Sequence, residues 1–265
     1  MGRGNLSGWT REQLLVAVGL YCTMEFGKFH QRNPRIIEAA EKIGRTPSAL
    51  AMKLSNFASL DPVFRESGRR GLEGASSADR AIWQELMQAP NEIMPAVEQT
   101  LADFKLTDAP PADEPTEAIT PDGDYTADNR LSLTQQRRGQ HIFRKAVLSS
   151  YEHRCCLTGF ADPRFLVASH IRPWREDRQN RLNPRNGLCL SSLYDRAFDI
   201  GLITFSEDYR LLISPELEAQ ADDEYVVESF LRRAGQEIRM PSKFMPDEGF
   251  LGWHRSELFK SSYVY

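Results

Sequence analysis

His170, Asn186, Asp195 and Asp199 fall in one stretch, VASHIRPWREDRQNRLNPRNGLCLSSLYDRAFD, running from Val167 to Asp199. A neutral imidazole can take a proton from water. Two carboxylates supply the hard oxygen donors that a magnesium-like ion takes. Asp195 and Asp199 are four residues apart, so on a helix they share a face and can both point back toward His170. Asn186 adds an amide able to orient its surroundings. Arg172, Arg175, Arg178, Arg181 and Arg185 lie around the set and suit phosphate oxygens. Base, metal ligands, orienting amide and cations are the parts that metal-assisted phosphodiester hydrolysis needs.

Those residues need a scaffold. TQQRRGQHIFRKAVLSSYEHRC predicts a helix with Ile142, Phe143, Val147 and Leu148 turned inward. CCLTGFADPRFLVASHI reads as strand, turn, strand, broken at Thr158-Gly159 and ending at His170. SSLYDRAFDIG predicts a short helix stopped by Gly201, carrying both aspartates. LITFSEDYRLLISPEL predicts a hairpin turning near Glu207-Asp208. His254, among aromatic and apolar neighbours, reads as structural.

The four cysteines are Cys22, Cys155, Cys156 and Cys189, with no CxxC pair. A four-cysteine zinc site and a disulfide framework are both disfavoured, which fits a reducing cytoplasm. Cys156 and Cys189 read as packing residues. No apolar run is long enough to span a bilayer, and the start of the chain has no apolar signal core. The net charge of -4 conceals a segregation. Ten acids face Lys105 alone between Asn91 and Asp128, whereas twelve Lys or Arg face four acids between Arg130 and Asn186. The basic part suits a phosphate surface.

RRGQHIFRKAVLSSYEHRCCLTGF, VASHIRPW and NRLNPRNGLCLSSLYDRAFDIGLI together resemble the HNH endonucleases over roughly residues 136 to 205. The likeness is to the subgroup with A/S-H-I-x-P-W around the first histidine and H/D-x-x-F-D-x-G-L at the last position. It implies a β-hairpin followed by a helix, clasping one metal ion. His170 would then be the general base and Asn186 the middle asparagine that orients base or hairpin. Asp195 would be the metal ligand in place of the last histidine, with Asp199 its partner. Two departures stand out: Ser169 precedes the base where many relatives have Asp or His, and Asp195 replaces a histidine.

Nearer the start, REQLLVAVGLYCTM has helical spacing. PRIIEAAEKIG opens with Pro34 and ends at Gly44, and TPSALAMKLSNFASL opens with Thr46 as cap. GASSADRAIWQELM predicts a fourth helix, capped at Ser76 or Ser77. The set resembles Myb/SANT-like helix-turn-helix domains, which implies that Arg45, Thr46, Ser48, Lys53 and Asn56 face a duplex. Arg144, with Arg137, Arg138 and Gln140, is expected on a DNA-facing helix.

The expected fold class is α+β. A helix-turn-helix-like domain would occupy 1–87, an acidic Pro-rich linker 88–129 and a ββα-metal HNH domain 130–265. The expected activity is metal-dependent DNA endonuclease, using Mg2+ or Mn2+ on double-stranded DNA, in restriction or antiphage defence by analogy. One metal site makes one cut, so double-strand cleavage favours a homodimer or two successive nicks. Two other readings stay open. One is a catalytically silent DNA-binding regulator, motivated by Ser169 and Asp195; the other is a nuclease effector switched on by a partner protein.

Overall fold

The computed structural model describes residues 8–63, 74–107 and 127–261, with backbone only up to residue 138 in the last stretch. Four helices begin where their capping residues put them. α1 is Arg11–Thr23, opened by a reciprocal capping box between Thr10 and Gln13. α2 is Pro34–Lys42, with Asn33 as cap and Pro34 in the first turn, and Gly44 ends it at a φ of 66°. α3 is Pro47–Leu60, capped by Thr46. α4 is Ser77–Gln88, opened by a capping box of Ser76 and Asp79.

α1 is buried on every side from Leu14 to Cys22, the mark of a helix through the centre of a fold rather than on its surface. It packs against α3, α5 and α6.

α5, Pro90–Asp103, occupies the first part of the expected linker. Ile93, Met94, Val97 and Leu101 lie at helical spacing and are buried. The acids and prolines of this segment masked that periodicity. α5 crosses α1 at Gly19, where a Cβ would stand 2.7 Å from Leu101 Cδ1. The Pro-rich remainder of the expected linker, 108–126, lies outside the described residues.

α6, Ala127–Ser150, is a shared wall. It packs on α1 and α5 and also on the strands that follow. Ile142, Phe143, Val147 and Leu148 are buried as their spacing predicts.

β1, Leu166–His170, pairs antiparallel with β2, Gly187–Ser191, so that His170 stands opposite Gly187 and Ser169 opposite Leu188. The strand expected before Thr158 does not form. Cys155 N–H donates to the Phe160 carbonyl and Gly159 N–H to that of Cys155, both at 2.8 Å, which closes a tight turn. Gly187 lets β2 approach α6; a Cβ there would stand 2.4 Å from Val147 Cγ2. α7, Ser192–Asp199, follows β2 at once and packs on both strands. Gly201, at a φ of 74°, stops it.

β3, Ile203–Phe205, and β4, Leu211–Ile213, form the second hairpin. Three short helices complete the described chain: α8, Pro215–Glu218; α9, Glu224–Ser229; and α10, Glu248–Glu257.

Between α9 and α10 the chain returns to α1. The buried Lys243 ammonium donates to the carbonyls of Tyr21 at 2.7 Å and Met24 at 2.6 Å, and to Ser149 Oγ at 3.0 Å. Those carbonyls close the C-terminal end of α1, where a cation also meets the negative end of the helix dipole. Beside it, Phe244 stacks on Trp83 at 6.0 Å, and its N–H donates to Asp61 at 2.9 Å.

Candidate active site

β1 and α7 place two groups of side chains on the two faces of one hairpin. Strand side chains alternate, so Ser169 and His170 point to opposite sides. On the α7 side, the buried Ser169 hydroxyl meets no full hydrogen-bond partner. It lies close enough to Asp195 to steady that carboxylate. Burial nonetheless pushes the Asp195 carboxyl above its usual range. Asp199, one turn on, is raised to about 6, first by the protein packed around it and then by the Asp195 charge. A carboxyl raised by burial beside one raised also by its neighbour's charge makes a site that a cation would relieve.

On the α6 side, His170 is stacked on Phe143 with centroids 4.4 Å apart, and Trp174 meets it edge-on at 5.6 Å. Its Nε2 lies 2.9 Å from the Arg181 carbonyl oxygen. A carbonyl only accepts, so Nε2 carries the hydrogen and Nδ1 keeps the basic lone pair. Burial lowers the His170 pKa to about 4, only partly countered by the Arg181 carbonyl, so the ring is neutral near pH 7.

The Asn186 side chain makes its hydrogen bonds within the 172–186 loop and none to His170. It is buried, and its Oδ1 accepts the Arg172 N–H at 2.8 Å. Its Nδ2 donates to the carbonyls of Arg172 at 3.1 Å and Asn180 at 3.3 Å. It therefore shapes the 172–186 loop that brings Arg181 over the histidine.

In this loop Asp177 was missed in the sequence, and Arg172 and Arg181 were expected there only as phosphate contacts. Asp177 Oδ1 accepts from the N–H groups of Gln179 and Asn180, each at 3.1 Å, and Asp177 pairs with Arg172 at 3.0 Å. Arg181 Nε donates to the Trp174 carbonyl at 2.8 Å. The available signal was the Asx spacing in DRQN and NP, since Asp and Asn bond the backbone two or three residues on.

The expected phosphate-binding residues divide. Arg175 is exposed in the loop. Arg172 lies over Trp253 at 5.0 Å besides pairing with Asp177. Arg185 pairs with Asp247 at 3.1 Å and donates to the Met245 carbonyl. Arg144 donates to the Leu166 carbonyl at 2.9 Å and so fastens α6 to β1. The side chains of Arg137 and Arg138 lie outside the described residues.

Three residues expected to face a duplex are turned inward instead. Lys53 and Asn56 are only 6% and 7% exposed. Lys53 pairs with buried Asp79 at 2.5 Å, and Asn56 donates to the same carboxylate at 3.0 Å. Arg45 donates to Gln13 Oε1 and the Gly8 carbonyl, and lies over Trp9 at 5.1 Å. An inward α3 face explains this: the positions that resemble a reading helix hold Trp9 and α4. Thr46 and Ser48 remain exposed.

His254 is structural. It is buried against Phe198 at 3.7 Å, its Nε2–H donates to the Phe198 carbonyl, and its Nδ1 accepts from Thr204 at 2.9 Å. Cys156 and Cys189 are buried thiols with raised pKa values, pushed up by burial.

Among the described residues, no three His, Cys, Asp or Glu side chains converge as a closed metal cage. Asp195, Asp199 and the unsatisfied Ser169 hydroxyl form an oxygen-only set, which fits a hard divalent ion with open positions. No described helix is long and apolar enough to cross a membrane.

Residues 155–206 match the family described as HNH endonuclease. No curated protein matches the chain. Among solved structures, the modification-dependent TagI restriction endonuclease is similar at 20% identity with a TM-score of 0.33. That match covers 44% of this chain and 37% of the TagI chain, so the chain spans little more than a third of that protein's length. The stretch that holds His170, Asn186, Asp195 and Asp199 lies wholly within the residues that match the HNH endonuclease family.

Proposed function

We propose that this protein is a metal-dependent DNA endonuclease, with the strand-strand-helix unit of β1, β2 and α7 as its catalytic centre. The observation that carries the reading is a neutral, Nε2-protonated His170 next in the chain to Ser169, whose hydroxyl lies beside Asp195. Asp195 and Asp199 would hold Mg2+ or Mn2+, with Ser169 beside them. A bound ion would stabilise negative charge developing on the phosphate and the leaving oxygen. His170 Nδ1 takes a proton from the attacking water. The Arg181 carbonyl stabilises the imidazolium that results, because a carbonyl accepts more strongly from a charged donor. Exposed Arg175 binds backbone phosphate.

The helical part, 1–87, would dock on double-stranded DNA through exposed α3 positions such as Thr46 and Ser48 rather than through Lys53 and Asn56. A homodimer would give cuts in both strands. Restriction or antiphage defence is the biological setting that such an activity suits. Ser169 favours a second reading, a silent DNA-binding regulator, because it removes a carboxylate from the cluster. An effector waiting for an activating partner is the third.

Supercoiled plasmid incubated with Mg2+, Mn2+ or EDTA, beside His170→Ala, separates these readings. Metal-dependent nicking that the variant loses supports the nuclease and its base. Plasmid binding without cutting in any metal supports the regulator or the missing partner. Cutting that survives His170→Ala removes His170 from the mechanism.

A further inference from the structure

We propose that Asn91, on α5, is a positioning residue for His170 and acts through a single peptide group. The Arg181 carbonyl, which accepts from His170 Nε2–H at 2.9 Å, belongs to the same peptide unit as the Leu182 N–H. That N–H donates to Asn91 Oδ1 at 3.1 Å. The described peptides are all trans, so the C=O and N–H of this unit point in opposite directions across one plane. Asn91, the 181–182 peptide and His170 therefore form a chain of two hydrogen bonds in series.

Asn91 also closes the arch that carries this peptide. Its Nδ2 donates to the Arg178 carbonyl. One side-chain amide thus ties both ends of the 178–182 segment. α6 supplies the seat beneath it: Leu182 is buried, and a Cβ on Gly139 would lie 2.2 Å from Leu182 Cδ1.

The arrangement has two effects. Rotation of the 181–182 peptide would break both bonds, so Asn91 fixes the direction of the carbonyl. Acceptance at the N–H also polarises the C=O in the same unit, which strengthens its hold on Nε2–H. His170 is thereby kept as the Nε2–H tautomer with Nδ1 basic. A base oriented by a second group, itself oriented by a third, is the usual way such a ring is held. Here the third group comes from α5 and the second is backbone. The inference rests on the reading of His170 as the base.

The test uses the full chain and has two independent readouts. In Asn91→Ala, kcat on a DNA duplex should fall roughly 10–100-fold, the usual cost of losing an outer partner. The Kd for the same duplex, measured by anisotropy in EDTA, should stay within about twofold, as expected when contacts to phosphate are intact. Nitrogen-15 NMR should show His170 as the Nε2–H tautomer in the parent and as a mixture in Asn91→Ala. Asn91→Asp keeps the acceptor for Leu182 N–H, should retain the parent tautomer, and serves should the alanine variant not fold. Adding Asn91→Ala to His170→Ala should cost nothing further.

An unchanged tautomer and full kcat in Asn91→Ala overturn the proposal. So does a further loss in the His170→Ala background. Full cleavage by His170→Ala with a tautomer shift in Asn91→Ala would overturn the base assignment instead.

Discussion

Ser169 and His170 are chain neighbours that serve opposite faces of β1: the hydroxyl turns to Asp195 on α7, and the imidazole lies flat on Phe143 of α6. The proposed catalytic chemistry would therefore be split by the strand pleat. The proposed oxygen ligands belong to the hairpin-helix pair, whereas the proposed base belongs to the long helix and the loop. The two sets can be altered separately.

Ser169→Asp should restore a third carboxylate to the α7 side. Without metal, three crowded carboxylates repel, and the melting temperature should drop. With Mn2+ the variant should recover that loss and bind the ion at least roughly tenfold more tightly by calorimetry, since site affinity rises with ligand charge. Equal Mn2+ affinity in parent and variant would mean that the cation sits elsewhere.

Lys53→Ala should act on stability and leave DNA affinity alone. It strands Asp79, which is wholly buried, and breaking a buried pair from one side costs about 3–5 kcal/mol. Urea unfolding reads the loss, and anisotropy on a duplex reads the affinity. A tenfold weaker Kd with unchanged unfolding would return Lys53 to the DNA surface.

His254 gives stability an acid limb. Burial lowers its pKa from 6.5 to about 4 in the folded chain. The unfolded chain takes up a proton first, so stability is complete above pH 6.5 and drains away as pH falls toward 4. By pH 5 the loss from this group is about 2 kcal/mol. His254→Gln can keep a donor for the Phe198 carbonyl and an acceptor for Thr204 without titrating. The variant should lose that much less than the parent between pH 7 and pH 5; identical losses would show that another group carries the limb.

Asn186→Ala should loosen the 172–186 loop while the helical part stays folded. It leaves the Arg172 N–H and carbonyl without their partner and takes one of two donors from the Asn180 carbonyl. Limited trypsin digestion should then cut at Arg175, Arg178 or Arg181 well before the rest of the chain. A digestion pattern identical to the parent's would mean that Asp177 and Asn180 hold the loop without Asn186.

Helix starts were legible where a local chemical cause was read: Thr46 and Ser76 cap as expected and Pro34 opens α2, while the structure adds Thr10 and Asn33 as caps. The positions of His170 at the end of β1 and of Asp195 and Asp199 on α7 were legible because their spacing is tied to one strand end and one helix turn. Distant partners were not. Nothing local to Asn91 announces a bond to residue 182, and nothing local to Lys53 announces Asp79. α5 was hidden for another reason: its buried residues keep helical spacing, but the prolines and acids around them carry the composition of a linker.

Lys243 and Phe244 fill a gap among residues encoded more than 150 positions earlier, at Tyr21, Met24, Asp61 and Trp83. A chain growing from its N-terminus makes the helices first and the hairpin of His170 next. The ammonium and the ring arrive later still. Until they do, the last carbonyls of α1 lack their cation and the aromatic cluster lacks a member. The half of the molecule that is translated first is thus among the last to be finished. The assembled helical core is a sign that translation has passed well beyond the catalytic stretch.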